Sequence, residues 1–166
     1  MLDSLDSKLL ITMRDNPRIG LTELARLLGV ARGTVQARLE KLTARGVIGD
    51  FGPTVMTEEI GYPILAFASL QIAQGKLAEA VEALEVIPEI LEVYGTSGQA
   101  DLLCRVVARN TPHLQEIIAR ILASPAVQRS DTTIALSTQI PYRITPLLKA
   151  AVPDSVDRRA PGPPTP

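Results

Sequence analysis

With 166 residues, 46% of them apolar, the chain has material for two small packed domains, and its single cysteine rules out an intrachain disulfide. A formal charge of −1 gives one copy little non-specific affinity for a polyanion. Five aromatic residues and no Trp argue against stacking platforms for RNA or single strands. No apolar run reaches the roughly 18 residues of a membrane span, and the start of the chain lacks the apolar core of a signal peptide, so the expectation is a soluble cytoplasmic protein with no membrane partner.

The first predicted element is a helix in which Leu5, Leu9 and Met13 share one stripe, with Asp3 as its cap. Next come Leu21, Leu24, Ala25 and Leu28 at helical spacing, and then Gly29, a residue able to close a helix in the left-handed conformation. A further helix starts at once, with Val35, Leu39 and Leu42 inward and Gly33, Thr34, Gln36, Ala37, Glu40 and Lys41 outward. Two helices joined by so short a turn fit a helix-turn-helix, although the spacing alone also fits an ordinary amphipathic hairpin.

The outer face of the second motif helix is small, polar or basic, and such a face suits the major groove of double-stranded DNA. Thr34, Gln36, Ala37 and Lys41 are expected nearest the groove, with Arg32 and Arg38 on phosphates or base edges. Arg38 lies on the flank, where an ion pair with Glu23 or Glu40 is the alternative. Between Arg18 and Arg45 six basic residues face two acidic ones, so positive charge is concentrated here within a nearly neutral chain. Neither motif helix has a hydroxyl at its cap, since Gly20 and Ala31 stand there. Ile19 with Leu24 and Val30 with Val35 have the spacing of hydrophobic staples that compensate.

After Gly46, residues 47–55 contain two short apolar runs broken by turn residues, which predicts the small hairpin of a winged helix. From Tyr62 the periodicity changes. Ile64, Ala66, Ala68, Leu70 and Ile72 alternate on one face of a predicted strand, with Leu65 and Phe67 on the other. A helix follows over 76–85 with Leu77, Val81 and Leu84 as its stripe, then strands over 90–96 and 102–108 joined by Ser97-Gly98-Gln99-Ala100. Thr111 to Ala123 is a helix with Leu114, Ile117, Ile118, Ile121 and Leu122 on one side, Pro112 in its first turn, and Asn110 or Thr111 as cap. A last strand is expected around 131–140.

This order is the split βαβ of a ferredoxin-like βαββαβ sandwich, so the fold class is α+β, a winged helix-turn-helix followed by that sandwich. Its helices cover one sheet face, so Leu65 and Phe67 predict a second subunit against the other and hence a homodimer, the alternative being a monomer with a few exposed apolar residues. Cys104, in an apolar strand, is expected to be a buried inert thiol, and His113, in the first turn of a helix, a solvated or capping residue. From Ala151, five prolines among sixteen residues predict a disordered tail. The expected domains are 1–52, a linker over 53–61, 62–148, and a tail over 149–166.

The opening Leu2-Asp3-Ser4-Leu5-Asp6, the motif segments Glu23-Leu24-Ala25 and Val35-Gln36-Ala37-Arg38-Leu39-Glu40-Lys41-Leu42, and the closing Gly46-Val47-Ile48 resemble those of the Lrp/AsnC transcription regulators. The resemblance extends to about residue 145 and includes Ser97-Gly98-Gln99-Ala100-Asp101, similar to that family's Gly-x-x-Asp turn. It implies a DNA-binding regulator with no catalytic role, metal or cofactor. It further implies dimers that assemble to higher oligomers, often octamers, and an amino acid or related effector bound between them. By the same resemblance the effector contacts fall at Gly98, Asp101, Thr132, Thr133 and Ile134, although Gly98 and Asp101 also suit a plain turn. Two other readings share the architecture. A sirohaem-decarboxylase-like enzyme would need positioned proton donors and cations, for which a lone histidine is poor support. An accessory subunit with a vestigial DNA-binding head would lack the charge that Arg32, Arg38 and Lys41 supply.

Overall fold

The computed structural model describes residues 2–49 and 52–151. The chain divides into two compact units: the described parts of Met1–Gly52 and Pro141–Pro166 make up one, and Pro53–Ile140 the other.

The first unit contains α1 (Ser4–Asp15), α2 (Leu21–Leu28), α3 (Arg32–Ala44) and a last helix, α6 (Thr145–Ala150). Asp3 caps α1, and it does so reciprocally: its side chain accepts the Asp6 N–H while the Asp6 side chain accepts the Asp3 N–H. Leu9, Leu24, Ala25, Val35 and Leu42 form the buried centre of the unit, with Met13, Leu21, Leu28 and Leu39 packed around them. Both pairs expected as staples, Ile19 with Leu24 and Val30 with Val35, lie in this same cluster. Gly29 ends α2 at φ 66°, the left-handed cap, and lets α3 begin three residues later. Neither Gly20 nor Ala31 makes a side-chain cap hydrogen bond.

Two features of this unit differ from the sequence expectation. Of the wing hairpin, the described residues 47–49 and 52–55 form a bend and irregular backbone without strand pairing, and Asp50 and Phe51 lie outside the described residues. The last helix, α6, covers residues 145–150, of which 145–148 were expected in the second domain and 149 onward in the tail. It rests on α1, where Ser7 Oγ donates to the Leu148 carbonyl at 2.7 Å. Six residues are too few for a periodic stripe to declare itself. The remainder of the expected tail, 152–166, lies outside the described residues.

The second unit holds β1 (Ile64–Ile72), α4 (Leu77–Glu85), β2 (Ile90–Gly95), β3 (Leu102–Ala108), α5 (Thr111–Leu122) and β4 (Val127–Ala135), preceded by a 3-10 turn over Glu58–Ile60. The sheet order is β2-β3-β1-β4 and every neighbouring pair is antiparallel, the ferredoxin-like arrangement. Ala66, Ala68, Leu70, Leu102, Cys104 and Val106 face α4 and α5, which contribute Ala80, Leu84, Leu114, Ile117 and Ile121.

Two details shift and one alternative is resolved. On α4 the buried stripe is Ala80 and Leu84, while Leu77 and Val81 of the expected stripe are exposed. On α5 the cap is Asn110, whose Oδ1 accepts the His113 N–H at 2.9 Å. β4 starts at Val127 and ends at Ala135, because its register on β1 begins opposite Ile72 and a polar edge strand carries little apolar alternation to mark its start.

Candidate nucleic-acid interface and ligand loop

Recognition of DNA requires a helix surface clear of the protein core, and α3 provides one. Val35 and Leu42 are buried against the other helices, which leaves Arg32, Thr34, Gln36, Ala37 and Lys41 exposed. Thr34, Ala37 and Lys41 follow one another at helical spacing and form a stripe, with Gln36 beside it. The Gln36 amide is oriented by its own helix: Nε2 donates to Glu40 Oε1 at 3.1 Å, so the amide oxygen and the second N–H remain available to a base edge. Arg32 occupies the first turn of α3 and Lys41 the last, so positive side chains bracket the stripe.

Arg38 departs from the expected set. It pairs with neither Glu23 nor Glu40, because Glu23 is held by Arg26 at 2.6 Å and Glu40 accepts from Gln36. Its guanidinium turns instead to α1, donating to Asp6 Oδ1 at 2.7 Å and to the Asp3 carboxylate. The Arg38 hydrogen bond, with the Asp6 backbone N–H, holds the Asp3 carboxyl below the usual carboxylate range, and the two carboxylates favour the charged form of Arg38. The sequence signal lay in Asp3 and Asp6, which reads as helix capping alone when the third partner is 32 residues away.

In the second unit, Gly98 lies in the β2–β3 turn at φ 129°, a backbone state that favours glycine. Asp101 closes that turn. Its Oδ2 accepts the Ile72 N–H at 2.7 Å, its N–H donates to Leu70 O at 2.9 Å, and Thr96 Oγ1 donates to Ala100 O at 2.6 Å. Both oxygens of a carboxylate can accept, so Asp101 keeps capacity for a ligand beyond its structural bond.

The three strand candidates are not brought together. Thr132 and Ile134 pair opposite Ala68 and Ala66, on the helix-covered face, whereas Thr133 pairs opposite Phe67 on the other. Successive strand residues point to opposite faces, so one protomer presents at most two of the three to a single ligand. The β1 register places the Asp101 turn at Leu70–Ile72, whereas Thr132 to Ile134 pair further along that strand.

His113 also departs from its expectation. It is buried, its Nε2 lies 3.3 Å from Glu89 Oε1, and its Nδ1 accepts the Arg109 N–H at 3.2 Å. Arg120 completes the group at 3.2 Å from Glu89 Oε2. Cys104 is buried as expected, and desolvation pushes its thiol up to about 11.

Comparison with known proteins follows these two units closely. Residues 2–48 match the model of the winged helix-turn-helix DNA-binding family, and residues 65–144 that of the Lrp/AsnC ligand binding domain. The chain is 32% identical over 137 residues to the HTH-type transcriptional regulator FL11 of Pyrococcus horikoshii, covering 82% of this chain and 91% of that one. The chain belongs to the Lrp/AsnC family. The Escherichia coli regulatory protein AsnC is 30% identical over 88% of this chain and 97% of its own length. The structure of E. coli AsnC superposes with a TM-score of 0.82 at 28% identity, covering 88% of this chain and 99% of that one. As a Lrp/AsnC protein it is a DNA-binding transcription regulator with a ligand-binding domain, and the relatives it matches are regulators, not enzymes. That sets aside the decarboxylase reading. No helix among the described residues is long and apolar enough to cross a membrane.

Proposed function

We propose that this regulator reads its operator through the Thr34, Gln36, Ala37 and Lys41 stripe with Arg32 on phosphate, and that an amino acid or related metabolite bound in the second unit tunes the assembly that presents it. The exposed, basic and polar face of α3 carries the reading: it lies clear of the core and has Gln36 preset by Glu40. Arg38 is left out of the DNA-contacting set because Asp3 and Asp6 hold its guanidinium.

The effector is assigned to the turn of Gly98 and Asp101, with Thr133, or Thr132 and Ile134, contributed from β4 according to which face a neighbouring subunit supplies. Support for a dimer comes from the uncovered sheet face, where Phe67 and Tyr94 are exposed beside Leu65 and Leu103. With a formal charge of −1 per copy, useful affinity follows from several heads on one DNA, which favours dimers joined into a larger ring such as an octamer.

The test is a gel shift on the DNA upstream of the protein's own gene, with and without a panel of amino acids, alongside sedimentation of the same samples. Gln36→Ala is expected to change which sequence is preferred. Lys41→Ala is expected to weaken all sequences alike and reduce the salt dependence by about one phosphate contact. Equal loss on every sequence for both variants refutes the division of labour, and no response to any amino acid refutes the effector class.

A further inference from the structure

The contact between α1 and α3 is unusually complete for two helices otherwise held by apolar packing. Asp3 Oδ1 accepts the Asp6 N–H at 2.8 Å, and Asp6 Oδ2 accepts the Asp3 N–H at 3.2 Å. The two remaining carboxylate oxygens, Asp3 Oδ2 and Asp6 Oδ1, both accept from Arg38 Nη1, the latter at 2.7 Å. All four oxygens thus have a donor. The Asp6 side chain is only 6% exposed and that of Arg38 30%, whereas that of Asp3 is 53% exposed, so the lock sits at the edge of the core with its Asp6 arm buried and its Asp3 arm open to solvent. The neighbouring Ser7, also buried, is fixed by its 2.7 Å bond to Leu148 of α6.

Apolar contacts through Val35, Leu39 and Leu42 fix the distance of α3 from its neighbours but are non-directional, so they tolerate a roll about the helix axis. A directional ion pair in mid-helix does not. Side-chain tips stand about 5–6 Å from a helix axis, so a roll of about 20° moves them by roughly 2 Å, more than a hydrogen bond to a base edge tolerates.

We propose that Arg38 is a positioning residue: clasped by Asp3 and Asp6, it sets the rotation of α3, and with it sequence preference, without touching DNA. The proposal rests on the reading that the Thr34–Gln36–Lys41 face meets base edges.

The test uses the full chain, a duplex selected from a randomised pool by the wild-type protein, and an unrelated duplex of equal length, each titrated at several salt concentrations. Arg38→Ala, Asp6→Asn and Asp3→Asn are compared, with thermal melts as a control on folding. Asp3→Asn is the mildest, because Asn caps a helix as well as Asp does and only the charge facing Arg38 is lost. The specificity ratio is expected to fall by about tenfold in Arg38→Ala, the size of one lost base contact, with the salt slope and the affinity for unrelated DNA unchanged. Asp6→Asn and Asp3→Asn are expected to move in the same direction, and the Arg38→Ala/Asp6→Asn double variant to be no worse than Arg38→Ala.

A salt slope shallower by about one in Arg38→Ala, with the aspartate variants like wild type, makes Arg38 a phosphate contact and overturns the proposal. An unchanged specificity ratio in all three variants overturns it equally. Wild-type protein with no sequence preference at all overturns instead the reading beneath it, and the proposal with that reading.

Discussion

Cys104 sits at the centre of β3 with its thiol among aliphatic side chains, and desolvation raises its ionisation to about 11. In the unfolded chain the thiol ionises near its ordinary value, so at intermediate pH the unfolded state has lost a proton that the folded state keeps. Stability from this residue is therefore constant below about pH 9 and falls as pH rises toward 11. Urea denaturation at pH 8 and pH 10.5 should show a larger loss in wild type than in Cys104→Ala, and thiol labelling at pH 8 should proceed only as fast as the protein opens. Asp3 acts in the opposite direction. Its carboxyl is held low by Arg38, so its contribution is present above the usual carboxylate range and fades as acid protonates it. Glu89 holds both the buried His113 and the half-exposed Arg120, and Glu89→Ala, which leaves the buried imidazole without its partner, is expected to cost roughly 1–3 kcal/mol in the same denaturation assay.

Among the elements, α3 begins without a capping side chain although Ala31 has the extended backbone that a cap requires, φ −66° and ψ 145°. A serine there presents a hydroxyl to the free N–H groups of the first turn, so Ala31→Ser should stabilise the protein by about 1 kcal/mol, measured as a shift in denaturation midpoint. The helix-turn-helix was legible because it is local: Leu24, Gly29, Val35 and Leu42 act within one or two turns of one another. β1 and β3 were legible for the same reason, since Ala66 to Leu70 and Leu102 to Val106 carry dense apolar sequence. What stayed hidden depends on distant partners. The partners of Arg38 are 32 and 35 residues away. The start of β4 is fixed by pairing with β1 and not by its own polar residues, and which of Thr132 and Thr133 lies on the helix-covered face follows from that register. On α4 Leu84 is buried as expected but the stripe runs through Ala80 and not Leu77 and Val81, because a short Ala80 suits close packing on the sheet.

At the scale of the whole molecule, the uncovered sheet face is where assembly can be tested without disturbing either core. Phe67 is 37% exposed in one protomer, so Phe67→Asp should leave the protomer folded while removing apolar area from the proposed subunit contact. Sedimentation is expected to show a smaller species, and DNA titrations a shallower salt dependence, since fewer heads reach phosphates together. An unchanged sedimentation coefficient refutes a subunit contact on this face.

The return of α6 to α1 has a temporal meaning as well as a spatial one. The DNA-reading unit is started by the first 52 residues and supplied with its last helix only after the whole sheet unit has been made. During synthesis, at roughly 5–20 residues per second, Ser7 waits several seconds for the carbonyl of Leu148, while the ninety or so residues between folding unit and helix emerge. A nascent regulator therefore carries an unfinished head until its sheet exists, so that the DNA-binding unit is completed after the ligand-binding domain.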